Sequence, residues 1–333
     1  MNSTRSVNQS MGSQRLTLRE AVIEAIELEM AIDPTIVMLG QDIGEFGGPL
    51  QSTMGLWEKF GSKRIIETPV AEQGVVALGI GMSLNGLRPI IDLMFADFLP
   101  LVANELLQLA ANLNYMSVGR ARAPFVLRTR GGDGPYRAHP QNMEALLSNI
   151  PGLHVVTPGS PAAAKGLMVS AMRFDDPVVF IEPIFLYQGP KESVATKQYS
   201  IPIGVAAIPR IGKDVTLVCY GRTVRVMQLA SSKLAKTGID CEIVDLQTVT
   251  PFDRESVIKS AQKTRRLVVA HDAWMNCGIG AEIVATVAAE IDLVARPVRL
   301  AAPNLPIAYA PVLRDNSRPT VDDVVEAVTA MFR

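Results

Sequence analysis

Short apolar segments alternate with helical segments along most of this chain, and that alternation restricts its fold more than any other feature. The segments predicted as strands are three to six residues long and mainly apolar, without the regular apolar-polar alternation of a sheet that has one face in water. Such strands are typical of a parallel sheet covered by helices on both faces, so we predict an α/β fold. The predicted strands lie at residues 35–39, 64–66, 90–94, 125–129, 155–157, 178–181, 215–220, 241–245, 267–271 and 298–301.

A polar stretch interrupts the alternation near residue 190. It includes the sequence Gln-Gly-Pro-Lys from residue 188, and a second series of strands and helices follows it. A chain of 333 residues is long enough for two domains with a core each. We therefore predict a disordered N-terminus at 1–14, an α/β domain at 15–190, a linker with an edge strand at 191–213, and a smaller α/β domain at 214–333. Predicted helices lie at 16–30, 101–116, 142–148, 161–174, 223–236, 253–263, 281–289 and 320–332, with one more that starts at residue 72.

Composition and charge exclude several classes of protein. Hydrophobic residues make up 48% and charged residues 20% of the chain, a balance that excludes extended disorder. Lys and Arg (32) nearly equal Asp and Glu (33), so there is no overall charge that would attract nucleic acid. No apolar run reaches the roughly 18–20 residues that a membrane span needs.

The cysteines and the N-terminus indicate a compartment. The three cysteines are widely spaced and form no CxxC pair, which favours a reducing compartment over a disulfide framework or a zinc site. Residues 1–14 lack the apolar core of a secretory signal. We therefore predict a bacterial cytoplasmic protein, with an organelle matrix as the alternative.

One carboxylate, Glu72, has an unusual sequence environment. It follows the strand at 64–66 and a Thr-Pro turn, and it begins a helix of small and apolar residues. The N-terminus of a helix favours the carboxylate anion, whereas burial favours the neutral acid. A carboxyl group between these two states is suited to exchange a proton with a buried nitrogen base. The alternative is a carboxylate that only caps its own helix.

The segment 64–98, from Arg-Ile-Ile-Glu-Thr-Pro to Phe-Ala-Asp-Phe, resembles the cofactor-facing motif of a known family. This family comprises the beta subunits of the thiamine-diphosphate-dependent component of 2-oxo acid dehydrogenase complexes. The resemblance implies a pyrimidine-binding α/β domain with a parallel sheet, followed by a smaller α/β domain of the transketolase C-terminal type. It covers almost the whole chain after residue 14, through motifs at 39–44, 55–57, 60–61, 64–66, 151–153, 164–167, 201–204, 278–283 and 315–319.

The resemblance implies roles for four residues around the cofactor. Glu72 would hydrogen-bond the aminopyrimidine ring of thiamine diphosphate, and Phe98 would stack on that ring. Met94 and Leu87 would line the same pocket. A flat aromatic face suits a planar heterocycle, although Phe98 and Met94 are also residue types that commonly fill a protein core.

A glycine-rich loop after the strand at 125–129 carries His139. The resemblance implies that this histidine helps with the substrate and with acyl transfer to lipoamide. The chain has His-Pro-Gln here where relatives usually have His-Ser-Gln, so the substrate and the acyl acceptor stay open. Of the other histidines, His154 on an apolar strand is predicted to be a core residue, and the role of His271 at a strand end stays open.

Three further positions concern metals and proton transfer. The Gly-Asp-Gly sequence at 132–134 is similar to the start of a diphosphate-magnesium motif, but the asparagines Asn142 and Asn149 follow too early, so we predict a turn and no metal site in this chain. The resemblance implies that an alpha subunit binds most of the Mg²⁺. Some relatives hold a monovalent cation through backbone carbonyls in the segment matching 171–177, and side chains do not settle this. Gln41 stands where many relatives have Glu.

The resemblance predicts the beta subunit of a 2-oxo acid dehydrogenase that works with an alpha subunit as an α2β2 heterotetramer. Pyruvate or a branched-chain 2-oxo acid would be decarboxylated oxidatively, and the acyl group would pass to a lipoyl-bearing acyltransferase component. The sequence does not identify the side chain of the 2-oxo acid. The alternatives are a subunit of an acetoin-cleaving enzyme, a subunit of a two-chain transketolase-like enzyme, and a non-catalytic assembly subunit.

Overall fold

Two large β-sheets among the described residues place parallel strands between helices, and a third sheet has only two antiparallel strands. The computed structural model describes residues 12–132 and 139–333. The strands of the described residues are β1 (Ser13–Leu16), β2 (Ile36–Gly40), β3 (Ile65–Glu67), β4 (Arg88–Asp92), β5 (Val126–Gly131), β6 (His154–Val156), β7 (Val178–Pro183), β8 (Glu192–Ala195), β9 (Ala207–Arg210), β10 (Val215–Cys219), β11 (Cys241–Asp245), β12 (Thr248–Thr250), β13 (Leu267–Trp274) and β14 (Val298–Ala302). The α-helices are α1 (Leu18–Ile32), α2 (Leu56–Phe60), α3 (Glu72–Leu84), α4 (Asn112–Met116), α5 (Glu144–Ser148), α6 (Pro161–Arg173), α7 (Thr223–Ala235), α8 (Arg254–Thr264), α9 (Ile279–Ala288), α10 (Pro311–Asp315) and α11 (Val321–Ala330).

The first sheet has seven strands in the order β12-β6-β7-β5-β4-β2-β3. All of its neighbouring strands run parallel except β12, which pairs antiparallel with β6. Helices α1 and α6 pack on one face and α3 packs on the other. Consecutive residues of β2 therefore enter opposite cores, Met38 on the α1 side and Leu39 on the α3 side. This double burial is why the strands are apolar throughout.

The second sheet has five strands in the order β14-β13-β10-β11-β9. Four of them are parallel, and β9 closes one edge as an antiparallel strand. Helices α7 and α11 cover one face, whereas α8 and α9 cover the other. The predicted α/β class and its two-part arrangement are confirmed, and the edge strand expected in the linker is present as β9.

Three features differ from the prediction. The strand β1 begins at Ser13, inside the segment expected to be disordered through residue 14, and it pairs antiparallel with β8; residues 1–11 lie outside the described residues. The strand β12, from the second half of the chain, extends the sheet of the first half. The single helix predicted at 101–116 is instead a 3-10 helix (Ala96–Val102) that contains Pro100, a π-helix (Glu105–Ala111), and α4.

None of the helices among the described residues is both long enough and apolar enough to cross a membrane.

Candidate active site

A small cavity at the carboxyl ends of β2 and β4 brings together three of the predicted site residues. Carboxyl ends of parallel strands are where α/β sheets usually bind ligands. The cavity has a volume of about 10 Å³. Its wall is formed by Gly40, Gln41, Thr68, Glu72, Val75, Ile91, Asp92, Leu93, Met94 and Phe98. Glu72, Met94 and Phe98 therefore share one cavity although they are up to 26 positions apart in sequence.

Glu72 is the first residue of α3, and its side chain lies in the wall of this cavity. The N-cap of α3 is Ala71, and no side chain of the described residues caps the helix, so Glu72 does not cap its own backbone. The side chain is half-buried and makes no hydrogen bond or ion pair with the described residues. A carboxylate at the positive end of a helix, without a partner among the described residues, can bind a hydrogen-bond donor of a ligand.

Met94 is held in a strained backbone conformation beside Glu72. Its φ angle is 26°, a value that residues other than glycine rarely adopt. Its N–H donates to Oδ1 of Asp92 at 3.2 Å, and its carbonyl accepts from Nη1 of Arg130 at 3.2 Å. Such strain costs on the order of 1–3 kcal/mol and is usually found at functional sites.

Behind the cavity lies a buried network of charged residues that the sequence analysis did not identify. Arg130 donates to both carboxylate oxygens of Asp92 at 2.5 Å and to the hydroxyl of Tyr187 at 3.0 Å. The Tyr187 hydroxyl donates to Glu182 at 2.5 Å, and Glu182 also accepts from Arg128. Burial opposes the charged form of Asp92, but Arg130 and Arg128 outweigh it and hold the pKa of Asp92 below its ordinary value. The only sequence signal was the pair of arginines within one apolar strand.

His139 packs against two phenylalanine rings next to the cavity. Its ring stacks on Phe95 with centroids 4.6 Å apart and an interplanar angle of 8°, and it meets the edge of Phe98 at 5.1 Å. Nearby, burial raises the pKa of Asp97 to about 6, although His139 lowers it in part. Phe98 thus connects His139 to the cavity that contains Glu72.

Leu87 lies elsewhere. It follows α3 and precedes β4, at the amino end of that strand, and it does not line the cavity. Helix α3 has 13 residues, and a rise of about 1.5 Å per residue puts roughly 20 Å between its two ends. The structure therefore does not bring Leu87 to the other three predicted residues.

The other two histidines lie away from this cavity. His154 begins β6 and packs edge-on against Phe174 at 4.6 Å, and burial lowers its pKa. His271 is completely buried, and burial lowers its pKa to about 4. Its Nδ1 lies 3.1 Å from the carbonyl of Ala273, and its Nε2 accepts from the N–H of Gly280 at 3.2 Å. These contacts make His271 a neutral residue that caps the first turn of α9.

The segment expected to concern metals gives no support for a cation site. The carbonyls of Met172 and Phe174 accept hydrogen bonds from Arg88 at 2.7 and 2.6 Å, so both already have a cationic partner. The described residues contain no group of three or more His, Cys, Asp or Glu side chains that could hold a metal ion. Of the predicted turn at 132–134, residues 133 and 134 lie outside the described residues.

Comparison with known proteins gives the same two-part organisation. The family description "Transketolase, pyrimidine binding domain" matches residues 14–189, and "Transketolase, C-terminal domain" matches residues 204–324. The pyruvate dehydrogenase E1 component subunit beta of Rickettsia conorii is 39% identical over 318 residues, which cover 94% of this chain and 97% of that protein. The acetoin:2,6-dichlorophenolindophenol oxidoreductase subunit beta of Cupriavidus necator is 39% identical over 330 residues, which cover 95% and 97%.

A solved structure has the same fold. It is described as "Split gene transketolase, inactive beta4 tetramer" and superposes with a TM-score of 0.79 at 21% identity, covering 96% of this chain and 98% of that one.

Proposed function

This chain belongs to the family of beta subunits of the thiamine-diphosphate-dependent component of 2-oxo acid dehydrogenases, and on that premise we propose that it forms part of a site where a 2-oxo acid is decarboxylated. The observation that carries the proposal is the carboxyl group of Glu72, which is half-buried and makes no hydrogen bond or ion pair with the described residues of its own chain.

The cavity fits one end of thiamine diphosphate. Its apolar residues Val75, Ile91 and Leu93, the ring of Phe98 and the carboxyl of Glu72 match a flat heteroaromatic ring that carries nitrogen atoms. A volume of about 10 Å³ is far too small for the whole ring, so these residues form one wall and another chain supplies the opposite wall. We assign the diphosphate and its Mg²⁺ to an alpha subunit on the strength of the family to which the chain belongs.

The residues of this site that the proposal uses have separate tasks. When bound, thiamine diphosphate supplies the electron sink for decarboxylation. Glu72 would hold a proton at the ring nitrogen of the aminopyrimidine. Phe98 orients the ring by stacking. The buried Asp92 and Arg130 keep the Met94 backbone in its strained conformation at the wall of the cavity.

The chain acts in a heterotetramer of two alpha and two beta subunits, and the acyl group passes to a lipoyl-bearing acyltransferase component. His139 lies next to Phe98 at the same edge of the sheet, so we assign it to the substrate side of the site. A base or acid of this type within reach of the substrate contributes about 10²–10⁴-fold to the rate of a proton transfer.

The test is a Glu72→Gln substitution in the complex reconstituted with an alpha subunit. Glutamine keeps the size of the side chain and removes the exchangeable proton. We expect the rate of 2-oxo acid decarboxylation to fall by about 10²–10⁴-fold, while assembly of the complex, measured by sedimentation, does not change. The matched control is Glu282→Gln, because Glu282 is an exposed glutamate in the first turn of α9. An unchanged rate in the Glu72 variant would show that this residue is not the proton donor.

Acetoin cleavage is a second candidate function. It is favoured by the 39% identity to the acetoin oxidoreductase subunit and by Pro140 beside His139. The reconstituted complex should be offered pyruvate, branched-chain 2-oxo acids and acetoin in parallel. A higher kcat/KM for acetoin than for every 2-oxo acid would select this candidate, and the Glu72→Gln effect is expected with either substrate.

A further inference from the structure

A second small cavity lies between the two halves of the chain, and none of the residues of the Glu72 cavity line it. It is bordered by Gly131, Thr157 and Pro183 at the carboxyl ends of β5, β6 and β7, and by Tyr220 and Asp272 from the second sheet. The carboxyl ends of strands from both sheets therefore meet at this place. The cavity volume is about 20 Å³.

Three polar side chains in this wall are buried, and each has one oxygen atom without a hydrogen-bond partner among the described residues. Glu144, Thr157 and Tyr220 are only 3%, 2% and 4% exposed. Oε2 of Glu144, Oγ1 of Thr157 and the hydroxyl of Tyr220 have no hydrogen-bond partner among the described residues. An unsatisfied buried polar atom is strongly unfavourable, and native proteins rarely leave three of them in one cavity.

The charges around the cavity favour neutral forms of two of these groups. Burial, together with the charge of Asp272, raises the pKa of Glu144 to about 7. Burial, with Glu144 and Asp272, raises the pKa of Tyr220 well above its ordinary value. Arg222 and Arg318 also line the cavity, and Arg222 is committed to Asp272 through two hydrogen bonds of 2.7 and 2.5 Å. Glu144 as a neutral acid is then both a donor and an acceptor.

We propose that this cavity binds one ordered water molecule that hydrogen-bonds Glu144, Thr157 and Tyr220 and so joins the two halves of the chain. A buried water needs about 10–15 Å³ and two to four polar partners, and this site offers both. Glu144 lies five residues after His139, and Tyr220 follows β10 in the second sheet. The water therefore ties the segment that carries His139 to the second domain.

The first test is a crystal structure of the full chain at high resolution, with a parallel bromide soak. We expect one peak within hydrogen-bond distance of all three side chains, and no anomalous signal from bromide at that place. An empty cavity would overturn the proposal. A bromide peak would overturn it too, since the site would then be an anion site formed by Arg222 and Arg318.

The second test measures the coupling of the two hydroxyl groups through the water. We expect Thr157→Val and Tyr220→Phe each to lower the unfolding midpoint, and the double variant to lose less than the sum, because either change disrupts the same water. Tyr115→Phe is the control, since Tyr115 is 88% exposed. Fully additive losses would contradict a shared water.

The third test concerns the proton on Glu144. The unfolded carboxyl titrates near 4.5 and the folded one near 7, so the stability from neutral Glu144 is complete below about pH 4.5 and is lost as the pH rises to about 7. The wild-type midpoint should therefore fall relative to that of Glu144→Gln between pH 4.5 and pH 7 and stay level above that range. The buried Asp245, with a pKa raised by burial to about 7, is common to both proteins and cancels in the difference. A difference that does not change with pH would mean that Glu144 is not protonated in this site.

Discussion

Buried charged residues, rather than apolar ones, support the strained residue at the site. The fully buried Arg130 contacts Asp92 and the carbonyl of Met94 at once. Removing one partner of a buried ion pair is usually far more destabilising than the pair is stabilising. This arrangement couples the conformation of Met94 to the integrity of the network. The sequence shows only two arginines in an apolar strand, because the acidic and hydroxyl partners of these arginines come from β4 and from residues 182 and 187.

At the same scale, the buried His271 leads to a prediction about how the stability of the fold depends on pH. In the folded protein its pKa is about 4, below its ordinary value of 6.5. Because the unfolded chain binds the proton more readily, the stability from neutral His271 is complete above about pH 6.5 and is lost as the pH falls toward 4. A shift of this size corresponds to about 3 kcal/mol.

The measurement compares wild type with His271→Phe by urea unfolding between pH 4 and pH 7. Phenylalanine fills the space but leaves the N–H of Gly280 without an acceptor, so we expect the variant to be about 1–3 kcal/mol less stable at pH 7. The difference should shrink as the pH falls. His154→Phe, at a half-buried position, is the control at pH 7 for replacing a histidine ring, and it is compared at that pH alone because burial also lowers the pKa of His154. A difference that stays constant down to pH 4 would contradict the neutral cap.

At the scale of elements, the small residues of α3 determine how closely this helix packs on the first sheet. An added Cβ at Gly79 would lie 2.4 Å from Cδ1 of Ile91, a residue of β4 that also lines the Glu72 cavity. Glycine therefore lets α3 approach the sheet closely and fixes the position of Glu72 relative to β4. In contrast, an added Cβ at Gly81 in the same helix would meet no atom of the described residues within 4 Å.

This pair of glycines predicts opposite effects of the same substitution. Gly81→Ala should stabilise the protein by about 0.5–1 kcal/mol, since alanine is the better helix former. Gly79→Ala gains the same propensity but crowds Ile91, and overpacking costs about 1–3 kcal/mol, so we expect a net loss. Urea unfolding of both variants checks the signs. If Gly79→Ala were as stable as Gly81→Ala, the close approach of α3 to β4 would not be required.

The sequence predicted the elements that local pattern determines and missed those that depend on distant partners. The apolar runs indicated the parallel strands of both sheets, and the resemblance pointed to Glu72, Met94 and Phe98, which share a cavity. The strand β12 has only three residues and exists because β6 leaves an edge to pair with. Leu87 was assigned to the pocket by similarity alone, but it lies at the opposite end of α3.

At the scale of the whole molecule, the two halves of the chain share a core. One hydrophobic cluster includes Leu127 and Val179 from the first sheet, Val244 and Val269 from the second, and Val249 in β12. Two domains that share buried residues and a β-ladder are expected to unfold together, whereas domains joined only by a linker often unfold separately.

Val249 tests this coupling because it is completely buried in the strand that crosses from one half to the other. Val249→Ala removes two methyl groups and should lower the free energy of unfolding by about 1–3 kcal/mol. We expect one calorimetric transition in wild type and in the variant, with the whole transition moved to lower temperature. Val218→Ala, at a buried position of β10 in the same cluster, is the control for losing the same groups away from the junction. If there were two separate transitions and Val249→Ala lowered the temperature of only the second, β12 would extend the first sheet without coupling the two halves. A single shifted transition would mean instead that the first sheet, on which α3 and Glu72 pack, folds with the second domain as one cooperative unit. Changes in the second domain would then reach the candidate site through the shared core.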